Sequence, residues 1–103
     1  MTDTLQFTYR KSIQQQFHEF HEANPWVYQE MVKLARRAKA RGAQKVGIGM
    51  LTEIVRWRRA IATQDWNSGF KINNSYRSRY ARLIMQQEPD LDGVFDTREL
   101  KAL

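Results

Sequence analysis

Cysteine is absent from the 103 residues, which removes a disulfide framework, a thiol nucleophile and any thiolate metal site together. Histidine is scarce: His18 and His21 are the only two, so no convincing Ser/His/Asp arrangement can be assembled. Runs of apolar residues never exceed three, as at Leu83–Met85, which is far too short to cross a bilayer. Met1–Phe7 lacks the basic and apolar regions of a secretory leader. With two prolines and five glycines the chain has little punctuation, and it shows no internal repeat or low-complexity tract. What is present is enough for one core: 42% hydrophobic and 12% aromatic residues in a length that suits a single domain. A soluble cytoplasmic domain with no membrane partner is expected.

Charge of one sign is lacking only in the middle. The net charge is +6, but residues 1–32 sum to −2 and residues 83–103 to −3. Residues 33–82 carry thirteen Lys or Arg against Glu53 and Asp65, a balance of +11. A basic centre flanked by acidic ends attracts polyanions to the centre first. Most of these cations are arginines, which suit bidentate contacts to phosphate or guanine edges. An ordinary helical domain with a high pI has the same composition.

The periodicity predicts a mainly α domain of three or four helices with a small β element. Residues 1–22 form an N-terminal arm or helix, with Ile13, Phe17 and Phe20 on one side from Ser12 to Glu22. Residues 23–103 form the core. Asn24 followed by Pro25 opens a helix to about Arg41, Asn capping free N–H groups and Gly42 terminating. Its buried stripe is Val27, Met31, Leu34, Ala35 and Ala38. Lys33, Arg36, Arg37, Lys39 and Arg41 lie on other faces, where they also suit the helix dipole. Lys45–Ile48 alternates like a short strand. A further helix spans Gly49 or Met50 to Ala62 with Leu51, Ile54, Val55, Arg58 and Ile61 near its stripe. Trp57 beside that stripe reads as core. After a link at 63–73, with Phe70–Asn73 alternating as a brief extended segment, a third helix starts at Asn74 or Ser75 and stops before Pro89. Its apolar stripe is Tyr76, Tyr80, Leu83, Ile84 and Gln87. Val94–Leu100 reads as a strand or wing.

This order is that of a winged helix-turn-helix domain, and the third helix carries the functional expectation. Its other face reads Ser75, Ser78, Arg79, Arg82 and Gln86. Short polar groups at a helix start allow close approach to DNA, and arginine and glutamine further along can pair with guanine and adenine edges. Asn73, Asn74 and Arg77 adjoin that face, and Arg56, Arg59 and Lys71 are positioned for phosphates. Residues 70–82 contain no acidic residue. One feature opposes the motif: its two last helices are usually joined by about three or four residues, and this link is longer.

Three catalytic patterns fail on context. Pro89-Asp90 with Glu99-Leu100-Lys101 imitates a metal-dependent nuclease signature, but no strands or helices follow it. His18 and His21 stand three apart rather than four, with no third histidine. Gly47-Ile48-Gly49 lacks the rest of a phosphate loop. No enzyme activity, cofactor or metal is expected.

The run Phe70-Lys71-Ile72-Asn73-Asn74, then Tyr76 and Ser78–Met85, resembles small proteins of bacteriophages and prophages. Asn24-Pro25, Glu53–Trp57 and Phe95–Arg98 share that resemblance, which covers about residues 17–100. It implies a phage or prophage origin and a bacterial host cytoplasm, and it transfers no functional residue. The expectation is a phage or prophage transcriptional regulator that binds double-stranded DNA, with helix 74–87 in the major groove. RNA is a further possible target. The alternative is an interaction protein that binds an acidic host or phage protein through the same basic surface. No heptad or apolar seam was found that would define a two-fold dimer.

Overall fold

In a computed structural model, residues 10–66 and 70–96 are described. They form four α-helices, α1 (Ile13–Ala23), α2 (Pro25–Ala40), α3 (Ile48–Thr63) and α4 (Tyr76–Gln87), followed by a 3-10 turn at Pro89–Leu91. No strand occurs among the described residues.

Local chemistry explains most of the helix ends. Ser12 and Gln15 form a reciprocal capping box at α1: the Gln15 N–H donates to Ser12 Oγ at 3.1 Å, and the Ser12 N–H donates to Gln15 Oε1 at 2.9 Å, satisfying two otherwise orphaned donors. Pro25 opens α2 without losing a bond. Asn24 does not cap α2, as its type suggested. Its Nδ2 donates back to the Phe20 carbonyl at 3.0 Å, closing α1 instead. Gly42, at φ +101°, ends α2 as expected, and the Ala43 N–H reaches the Ala38 carbonyl at 3.1 Å in the manner of a Schellman closure. Ser75 stands at the N-cap of α4 as its type suggested, but its side chain makes no capping bond. Asn73 does the local work, its Oδ1 accepting from the Ser75 N–H at 2.9 Å and the Ser75 hydroxyl at 2.8 Å.

The core is built around α4. Tyr76, Tyr80, Ala81 and Ile84 are buried, and α4 packs against α1, α2, α3 and the 3-10 turn. Helix α1 docks on this bundle rather than extending as an arm: Phe17 is buried, 4.8 Å edge-on from the Tyr80 ring, and Phe20 lies 5.3 Å from Tyr76. The α2 stripe is buried at Val27, Met31, Leu34 and Ala35 as its spacing predicts, with Ala38 half-buried and Tyr28 and Val32 added. Fully burying one such aliphatic side chain is worth about 1.5–3 kcal/mol.

The β elements expected at 45–48 and 94–100 do not form within the described residues. Ile48 instead begins α3, and the two segments share one backbone bond, the Val46 N–H donating to the Val94 carbonyl at 2.8 Å. Leu91, Val94 and Phe95 are buried, so the segment after α4 is an apolar strap across the bundle. Residues 97–100 of the expected wing lie outside the described residues. The extended segment at 70–73 is irregular, with Ile72 buried as its anchor.

Candidate nucleic-acid interface

The acidic end of the chain accounts for part of the basic centre. Arg36 pairs with Glu88 at 2.6 Å and Asp90 at 2.9 Å, the Lys39 ammonium donates to the Asp90 carbonyl, and Lys45 reaches Gly93 O at 2.8 Å and Asp96 at 3.2 Å. The two hydrogen bonds from Arg36 hold the Asp90 carboxyl below its ordinary range. Tyr28 donates to Glu88 at 2.9 Å, and its hydroxyl is pushed up to about 12, first by burial and then by that bond. These contacts occupy one flank of α2.

The residues expected to read DNA from α4 separate into three directions. Arg77 turns to α3, pairing with Glu53 at 3.3 Å, and its guanidinium rests against Gly49, where an added Cβ would stand 3.2 Å from Nη1. Arg79 turns to α1 and its own helix, donating to Gln14 Oε1 at 3.1 Å and the Ser75 carbonyl at 3.0 Å. Arg82 and Gln86 line a shallow groove of about 200 Å³ with Arg79, Gln14 and Phe17. Ser75 and Ser78 are half-buried, and Gln86 is exposed. Every residue of α4 before Gln86 is buried or half-buried.

The other expected contacts converge elsewhere. Arg56, Lys71, Asn73 and Asn74 line one groove of about 570 Å³ with Phe20 and Tyr76. Arg56 continues into a second, smaller groove with Arg59, Trp66 and Phe70. Arg59 and Phe70 in turn border an open cleft of about 810 Å³ with Trp26, Lys33 and Arg58. The Arg59 guanidinium lies 4.4 Å from the Phe70 ring centre, a cation–π contact. Trp26 and Phe70 rings are 5.5 Å apart. Three carboxylates touch this path: Asp65 and Glu30 line it, Glu30 is held by Arg58 at 2.5 Å, and Glu53 pairs with Arg56 at 3.2 Å.

Sequence reasoning missed Trp26, Lys33, Arg58 and Trp66 as members of this surface and misplaced Trp57. Trp57 is 60% exposed rather than core, its ring 5.7 Å from that of Trp66, itself 59% exposed. The available signal was the Arg56–Arg59 run around a tryptophan, followed closely by a second tryptophan.

No group of three potential ligands for a metal ion occurs among the described residues. His18 pairs with Glu22 at 2.6 Å, while His21 stacks 6.0 Å from Phe17 and 5.3 Å from Tyr28. Among the described residues no helix is long and apolar enough to cross a membrane. Comparison with protein-family models, curated proteins and solved structures finds no match to this chain.

Proposed function

We propose that this chain is a small DNA-binding protein, a phage or prophage transcriptional regulator, that grips the phosphate backbone along the Arg56–Arg59 flank of α3 and the 70–74 segment. The observation that carries the reading is a chain of three grooves, the first two joined through Arg56 and the last two through Arg59 and Phe70, with Lys33, Arg58 and Lys71 along it. Clustered cations beside aromatic rings are the footprint of nucleic-acid contact. In a winged-helix arrangement α4 would lie in the groove and the chain beyond Val94 would be the wing. Since Arg77 and Arg79 are turned to neighbouring helices, we assign phosphate contact to Arg56, Arg59 and Lys71. The approach of α4 is confined to the segment that leads into it, at Asn73, Asn74 and Ser75. The resemblance to small phage and prophage proteins supports a phage or prophage origin and a bacterial host.

Fluorescence anisotropy with random duplex DNA over about 50 to 200 mM salt tests this directly. A steep fall in affinity with salt is expected, and Arg56→Ala and Lys71→Ala should each flatten the log–log slope by about 0.9. Absence of binding at the low-salt end would retire the proposal. A pull-down of one acidic protein, insensitive to nuclease, would replace it with the protein-partner reading, and preferential competition by RNA hairpins would move the target from DNA to RNA.

A further inference from the structure

Helix α3 carries a second apolar stripe that the other described residues leave uncovered. Among the described residues the exposed large hydrophobic side chains are Met50 at 58%, Trp57 at 60%, Ile61 at 48% and Trp66 at 59%. Three are on α3, and half-buried Ile54 lies between them. At 100° per residue, positions 50, 54, 57 and 61 fall within an arc of about 60°. Their spacing of four, three and four is that of a short coiled-coil seam, which the sequence pattern did not reveal because Trp57 and Ile61 read there as core and are exposed in the fold. The opposite side of α3, at Leu51, Thr52 and Val55, is the one buried in the core. Trp66 packs beside Trp57 and widens the stripe.

We infer that this stripe is the docking surface for a second copy of the same chain, the two α3 helices packing antiparallel about a two-fold axis between Ile54 and Trp57. The spacing reads the same in both directions. A perpendicular two-fold therefore sets Met50 over Ile61 of the second copy and Ile54 over its Trp57, one small residue against one large in the inner layers.

The area is adequate for a second copy. Two tryptophans each about three-fifths exposed leave on the order of 250 Å² per copy. Met50, Ile61 and the flanks then bring a two-fold interface toward the roughly 1,000 Å² expected of a specific contact.

Sedimentation velocity of the full chain, nuclease-treated and in high salt so that nucleic acid cannot bridge copies, should give twice the 12.3 kDa monomer mass with a concentration-dependent dissociation. Trp57→Lys and Ile61→Asp, made separately, should each return the monomer with an unchanged circular-dichroism spectrum. Because the chain has no cysteine, Met50→Cys and Ile61→Cys report orientation cleanly. Differently tagged versions should be bridged to each other by a short bis-maleimide, and Met50→Cys should not be bridged to itself. A monomer up to the solubility limit overturns the inference, as does a dimer that survives both stripe variants. Self-bridging of Met50→Cys alone overturns the antiparallel arrangement.

Discussion

Helices α3 and α4 have similar amphipathic sequences and opposite situations. The arginine-bearing side of α4 suggested a free reading face, and Trp57 on α3 suggested a core residue. In the fold α4 touches every other helix, so its arginines are drawn into contacts with Glu53, Gln14 and Ser75. Helix α3 is covered on one side and carries most of the exposed aromatic and apolar surface. Two stripes of similar hydropathy thus acquire different roles according to how many neighbours each helix has. Exposed aromatic area of this size on a small domain points to a partner.

The sharpest break in this contrast is a pair of truncations. Ile84→Ala, at a fully buried α4 position, should cost about 3 kcal/mol in urea denaturation. Trp57→Ala, measured at concentrations where the chain is monomeric, should stay within about 0.5 kcal/mol. Equal costs would mean that the outer side of α3 is covered within the monomer.

A second pair separates holding from binding. Arg79→Ala should lower stability by about 1 kcal/mol, through its bonds to Gln14 and Ser75, while leaving the salt dependence of DNA binding unchanged. Arg56→Ala should do the reverse, and an Arg79 variant with a flattened salt slope would restore α4 as a contact helix. Tyr80 offers a test of similar size. Its buried hydroxyl has no hydrogen-bond partner among the described residues, so Tyr80→Phe should raise stability by up to about 1 kcal/mol.

The smallest effect is a pH dependence. Burial, reinforced by His18, holds His21 below its ordinary 6.5, with Glu22 opposing. The unfolded chain therefore binds more protons below 6.5, and stability should fall as pH drops from there through the lower native value. Asp90 acts in a separate window: its depressed native value keeps the Arg36 contact intact above 3.8 and loses it as pH falls further. His21→Phe, retaining a ring against Phe17, should flatten thermal melts between pH 7 and 5 and leave the more acidic loss unchanged.

Much of the local structure was legible because it depends on near neighbours. Pro25 and Gly42 marked the ends of α2, Pro89 that of α4, and Ser12 that of α1. The buried stripe of α2 followed from spacing, as did Tyr76, Tyr80 and Ile84 of α4, whereas Gln87 is exposed and Ala81 is buried in its place. The site was legible only in parts: Arg56, Arg59, Lys71, Asn73 and Asn74 do share one surface, whereas Arg77 and Arg79 leave it. The contacts that redistribute charge join distant positions, such as Arg36 with Glu88 and Asp90, and charge counts along the chain cannot anticipate such pairings.

Sequence by itself determined that this protein is helical, basic through its centre and able to bury one core, because composition and the helical period act locally. Tertiary structure alone decided which side of α3 faces outward, which arginines remain on the surface and where the acidic end lies. Angular spacing along a helix specifies the stripes. Only the arrangement of neighbouring helices determines which stripe is shielded from water.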